Sequence, residues 1–177
     1  MDKSSNPNGK IWIFWNAEVD CNILEADEQH ITCDLQHVEY KEKFMTSFIY
    51  VKCKDHLRRS LHDRLIHFSN MNIPWCTIGD FNFIISIYEK QRGIPYNISK
   101  IFEFISVVEV YVLMDLGYNG QNFTWCTQRA EEAKVWKRLG RAMVNDAWLK
   151  DMPQTSINHL PSVESNHCPL LMSYRET

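Results

Sequence analysis

No run of about 18 apolar residues, the length that crosses a bilayer, occurs in the 177-residue chain. Met1 to Lys10 is polar and lacks the apolar core of a secretion signal. Neither a membrane span nor export is supported. An excess of positive charge is also missing, since 19 Lys and Arg face 22 Asp and Glu for a formal net charge of −3. With no global field to attract nucleic acid, any such binding has to come from a local basic patch. There is no Cys-x-x-Cys pair. Cys21, Cys33, Cys53, Cys76, Cys126 and Cys168 are scattered through apolar or β-like runs, as reduced core thiols are, rather than spaced as a zinc site or disulfide framework. Internal repeats and low-complexity tracts are absent as well. The expectation is an intracellular protein of the nucleus or cytoplasm.

What is present is 45% hydrophobic and 23% charged residues, the profile of one globular domain with room for a core. Residues 1–9 read as a flexible leader and 10–177 as the folded part. Strands are expected at Ile11 to Trp15, Cys21 to Leu24, His30 to Val38 and Phe44 to Lys52. From Asp55, a plausible cap, Leu57, Leu61, Leu65 and Phe68 repeat with helical period. A second helix is expected from Ser99 to Leu113 with Ile101, Phe102, Ile105, Val108 and Val112 as its apolar stripe. Further strands are read at Phe123 to Cys126, Trp136 to Met143, Ser156 to Leu160 and Cys168 to Tyr174, with a helical turn at Asn145 to Lys150.

The sharpest local signal is Gly79-Asp80-Phe81-Asn82, directly after the apolar run Ile73 to Ile78. A strand that stops at glycine and then offers a carboxylate and a carboxamide two residues apart places both on one side of the strand exit, where they could grip one phosphate. The plainer alternative is a turn in which Asp80 and Asn82 bond to their own backbone.

Taken in order, Tyr50, Gly79-Asp80-Phe81-Asn82, Asp115-Leu116-Gly117, Phe123-Thr124-Trp125, Arg138-Leu139-Gly140-Arg141 and Ser165-Asn166-His167 resemble the motif series of the endonuclease/exonuclease/phosphatase superfamily. Pro74-Trp75 and Asn145 to Trp148 give it the spelling of the endonuclease domain of plant non-LTR retrotransposons. The resemblance covers about residues 10 to 174. It implies an α/β fold, a two-sheet sandwich with outer helices, here lacking the first strands and helix. It also implies DNA as partner and Mg2+ or Mn2+ as cofactor for phosphodiester hydrolysis. On the same grounds Asp80 would position or deprotonate the attacking water, and Asn82 and Tyr50 would contact the phosphate. His167 would stabilise charge on the phosphoryl oxygens. Arg138 and Arg141 would face phosphate, or stand as an exposed solvated pair. Trp125 and Trp136 read as core rather than as base-stacking residues.

The sequence departs from the pattern at three places. Asn166, the implied metal ligand, is neutral where the family has aspartate, so metal affinity should fall. Gly140 stands where a carboxylate would orient His167, so the imidazole should lose its partner. The strands carrying the family's Asn and metal-binding Glu are not identifiable: Trp15-Asn16 reads as a strand end, and Glu18 and Glu25 are not substitutes. The expectation is a truncated, catalytically impaired endonuclease-like domain whose open edge calls for a partner or a second copy. A residual magnesium-dependent endonuclease, a non-catalytic nucleic-acid-binding module and a decaying element remain as alternatives.

Overall fold

The structure is a computed structural model that describes residues 1–39 and 42–175, so residues 40, 41, 176 and 177 of the expected domain lie outside the described residues. The chain opens with a hairpin in which β1 (Asp2–Ser5) pairs antiparallel with β2 (Trp12–Trp15). The expectation of a flexible leader is thereby corrected for these residues. Asp2 to Ser5 is held by a ladder to Trp12–Trp15, and the Asn6 carboxamide accepts the Lys10 and Ile11 N–H groups at 2.9 Å to close the turn. The turn after β2 uses Asn16, whose side chain accepts the Glu18 N–H at 3.1 Å and donates to the Glu18 carboxylate at 3.0 Å. Both residues are spent on the turn.

Then follow β3 (Val19–Ala26), β4 (His30–His37), β5 (Phe44–Tyr50), α1 (Arg59–Ser69) and β6 (Trp75–Asp80). After them come β7 (Lys90–Gln91), α2 (Ile98–Val110), β8 (Met114–Asp115), β9 (Asn119–Gly120), β10 (Trp125–Cys126) and β11 (Trp136–Lys137). The chain closes with β12 (Gly140–Val144), α3 (Asp146–Asp151), β13 (Ser156–His159) and β14 (Leu170–Ser173). The main sheet has six strands in the order β3-β4-β5-β6-β12-β8, and a second has the order β14-β13-β9. A small third sheet runs β10-β11-β7. β5 and β6 are parallel, as their connection through α1 requires, and the other pairings of the main sheet are antiparallel.

Alternation along the strands builds two cores. Met45, Ile49, Trp75 and Met143 meet Leu61, Leu65 and Phe68 of α1 and Phe104 of α2 on one face of the main sheet. Phe44, Cys76, Ala142 and Val144 on the other face meet Trp148 of α3, Ile157 of β13 and Met172 of β14. This is an α/β sandwich of two sheets with helices outside. Among the described residues no helix is long and apolar enough to cross a membrane.

Three local expectations are corrected. Asp55 does not cap α1; it lies in a 3-10 turn, Asp55–Leu57, and pairs with Arg58 at 2.7 Å. On α2 the buried aromatic is Phe104, stacked on Phe83 with centroids 4.7 Å apart, while Phe102 is 64% exposed. The strand expected from Trp136 to Met143 is two strands in different sheets. Arg138 and Leu139 part them, because the Arg138 N–H turns to the Glu89 carbonyl at 2.9 Å and the Leu139 N–H to the Thr124 hydroxyl at 2.9 Å.

Candidate active site

Tyr50 and Asp80 end the parallel neighbours β5 and β6 and are paired in register, and Gly140 begins β12 opposite Asp80. Three of the motif positions therefore share one row across the sheet, at the carboxyl ends of β5 and β6. Gly79 makes the row possible. Its φ is +148°, and a Cβ there would lie 2.0 Å from the Ile49 carbonyl oxygen, so only glycine fits.

The Asp80 carboxylate does two things. Its Oδ1 accepts the Asn82 N–H at 2.8 Å, and Asn82, at φ +55°, donates from Nδ2 to the Val51 carbonyl at 2.5 Å. The plain turn weighed from sequence is thus present, and one Asn82 amide hydrogen is committed to it. The other oxygen, Oδ2, faces His167 Nδ1 at 4.0 Å. His167 reaches this place because residues 166 and 168 are laced to β10. The Cys126 N–H donates to the Asn166 carbonyl at 2.9 Å and the Cys168 N–H to the Thr124 carbonyl at 2.8 Å. The Ser165 hydroxyl accepts the His167 N–H at 3.1 Å.

Burial pushes the Asp80 carboxyl above its ordinary range, against the Asn82 amide and the charges of His167 and Arg141. Burial and then the nearby Asp80 charge raise the Tyr50 phenol. Tyr50 is therefore a neutral hydrogen-bond donor near neutral pH, and 39% of its surface is open to solvent.

His167 was expected to lose its carboxylate partner with Gly140, and it faces Asp80 instead. Position 140 itself is tightly bounded by Thr124 and Leu170. A Cβ on Gly140 would meet Leu170 Cδ1 at 3.3 Å and Thr124 Oγ1 at 3.4 Å.

The expectation that Arg138 and Arg141 face phosphate is corrected. Arg138 is 4% and Arg141 0% exposed, and neither is a solvated surface pair. Arg138 donates to Glu89 at 2.7 Å and Asp115 at 2.8 Å; Arg141 donates to Asp115 at 2.8 Å and Glu89 at 2.9 Å. Two guanidinium forks thus engage two largely buried carboxylates, and the remaining Nε groups are themselves buried, so neither arginine presents a donor to a phosphate at the surface. Burial opposes ionisation of Asp115, but the Arg138 hydrogen bond and the charges of both arginines hold its pKa below the usual value. Asp115 stood in the sequence motif without this role, and Glu89 carried no sequence signal.

Asp80 is the one carboxylate at this corner among the described residues. Its Oδ1 is engaged by an amide and its Oδ2 faces an imidazole. Asn166 adds only a neutral side chain, and its backbone carbonyl is already bonded to Cys126. Among the described residues no three His, Cys, Asp or Glu side chains cluster as metal ligands. A hard dication takes one or two free carboxylates, and this donor set does not fit one.

No protein-family model and no curated sequence matches the chain. Solved structures do. The endonuclease domain of TRAS1, a telomere-specific non-LTR retrotransposon, superposes with a TM-score of 0.69 at 10% identity, over 98% of this chain and 80% of that one. The 3' phosphatase NExo from Neisseria, bound to a product DNA hairpin, gives 0.63 at 13% identity over 90% and 71%. The AP endonuclease LMAP from Leishmania major gives 0.62 at 14% identity over 86% and 56%. The chain has the endonuclease/exonuclease/phosphatase fold, and these neighbours are nucleases and phosphatases.

Proposed function

We propose that this chain is an endonuclease-type domain of the non-LTR retrotransposon kind that retains a DNA phosphate-contacting corner and is impaired in metal-dependent phosphodiester hydrolysis. The observation that carries the reading is the meeting of Tyr50, Asp80, Asn82 and His167 at one strand exit, with Asp80 turned to His167 at 4.0 Å. A phosphate at this corner would accept from the Tyr50 hydroxyl and from the Asn82 amide hydrogen not given to Val51. The His167 imidazole, beside Asp80, would offer a ring N–H to the phosphate. The same arrangement argues against efficient hydrolysis. Asp80 serves a turn and an imidazole, and the positions where further carboxylates are expected hold Gly140 and Asn166. General acid–base assistance alone is worth about 10²–10⁴-fold.

The test is binding of a labelled DNA oligonucleotide at graded salt. Affinity is expected to fall steeply as salt rises and to drop about tenfold in His167→Ala. No binding at low salt, or binding indifferent to His167→Ala and Tyr50→Phe, contradicts the proposal.

A further inference from the structure

The corner whose donor set does not fit a dication still holds groups that move protons. Tyr50, Asp80, Asn82 and His167 stand at one strand exit, outside the buried Arg138–Arg141 network. The His167 ring and the Tyr50 hydroxyl have no hydrogen-bond partner among the described residues. Both are open to solvent, 43% of the His167 side chain being exposed.

Hydrolysis at such a site is held back by the lack of an activated water. Metal coordination lowers the pKa of bound water from about 15.7 to about 7, and a carboxylate shared between an amide and an imidazole does not replace that effect. A substrate that brings its own nucleophile removes the requirement. In RNA the ribose holds a 2'-hydroxyl beside the 3'-phosphate, so attack on phosphorus is intramolecular and uses no bound water. Three things are then needed: a base for the hydroxyl proton, a donor to the phosphoryl oxygens and an acid for the departing oxygen.

The corner has a group for each. The imidazole that offers a ring N–H to a phosphate in one tautomer presents a lone pair in the other. With Nδ1–H turned towards Asp80 Oδ2, 4.0 Å away, Nε2 is the base, and the carboxylate favours the imidazolium that forms. Asn82 has one amide hydrogen not given to the Val51 carbonyl, and it suits a phosphoryl oxygen. The Tyr50 phenol, kept neutral by burial and by the Asp80 charge, is the acid.

We infer that the Tyr50–Asp80–Asn82–His167 corner cleaves RNA without a metal ion, the substrate's own 2'-hydroxyl displacing the 5'-oxygen of the next nucleotide. The bond from the 2'-oxygen to phosphorus forms as the bond from phosphorus to the 5'-oxygen breaks. His167 takes the hydroxyl proton and Tyr50 gives its own to the departing oxygen, leaving a 2',3'-cyclic phosphate and a 5'-hydroxyl. The imidazolium then returns a proton to the phenolate through solvent. No water, metal or oxidant is consumed. DNA, lacking the 2'-hydroxyl, is held and not cut. The inference rests on the phosphate reading above and extends it from binding to reaction.

The test incubates the full chain in EDTA with a fluorescein-labelled single-stranded RNA dodecamer, the same sequence as DNA, and the same RNA methylated on every 2'-oxygen. Only the unmodified RNA is expected to be cut, and mass spectrometry should find its upstream fragment one water lighter than the linear 3'-phosphate. In protein purified identically, so that a contaminating ribonuclease would show, His167→Ala should slow cleavage about 10²–10⁴-fold and Tyr50→Phe about tenfold or more. Intact RNA in EDTA overturns the inference, as does cleavage that survives 2'-O-methylation or is unchanged in His167→Ala. Binding separates the two readings. If DNA binds with the salt and His167 dependence given above while RNA stays intact, the phosphate reading stands and the reaction fails. If neither strand binds at low salt, both fail.

Discussion

At Gly79 the backbone passes so close to Ile49 that a methyl group would overlap its carbonyl oxygen at 2.0 Å. Gly79→Ala is expected to lower unfolding stability by about 2–4 kcal/mol in urea titration, through displacement of β6 from β5. Arg141 supplies a second test. It is fully buried among Glu89, Asp115 and the Phe83 carbonyl, so Arg141→Ala strips both carboxylates of one of their two guanidinium partners and leaves Asp115 Oδ2 unpaired. A loss of about 3–5 kcal/mol is expected. Loss of DNA affinity with stability intact would instead restore Arg141 to the phosphate. The sequence marked Tyr50 and Asp80 because they end β5 and β6, whereas His167 is brought to them by an isolated bridge to Trp125. It did not show that the Arg-rich motif faces inward. That depends on Glu89, which lies 49 positions before Arg138 and meets it only through the fold.

Among the elements, α2 best separates periodicity from packing. Its sequence is apolar nearly all round, so the helical repeat admits two neighbouring stripes, and the choice falls to the partner surface. Phe83 presents a ring to Phe104, and no ring contact reaches Phe102 among the described residues. Phe104→Ala is expected to cost about 3–5 kcal/mol, whereas Phe102→Ala should stay within about 0.5 kcal/mol. Thermal denaturation of the two variants checks this, and equal effects would contradict the inward assignment. Strands such as β5 were legible from their β-branched and aromatic content, although β5 is buried on both faces along most of its length. The division between β11 and β12 was not, since it is made by backbone N–H groups that donate to the Glu89 carbonyl and the Thr124 hydroxyl rather than by a break in the apolar pattern. The β1–β2 hairpin was likewise hidden, because Asp2–Ser5 is polar and its pairing comes from the partner strand.

For the molecule as a whole, the half-buried His62 and the buried His159 set the response to mild acid. Burial, with Arg58 acting in the same direction, depresses His62 below its ordinary value of 6.5, and burial also depresses His159. The unfolded chain therefore binds these protons more readily, and stability falls as pH drops through about 6.5. Asp115, held low, keeps its contribution until the pH falls below the usual carboxylate range. Asp80, raised by burial, works with the opposite sign, its contribution fading as pH rises through its folded value. The melting temperature is expected to be lower at about pH 5.5 than at pH 7.5, with a smaller difference in His62→Gln/His159→Gln. The two-sheet architecture was legible from the ordered motifs, several of which mark strand ends. What the sequence left open is whether the corner those strands build still cuts DNA. Incubation of the chain with supercoiled plasmid in Mg2+ or Mn2+ decides it most directly. No nicking above the Asp80→Ala background is expected, and metal-dependent nicking that Asp80→Ala abolishes would contradict the account.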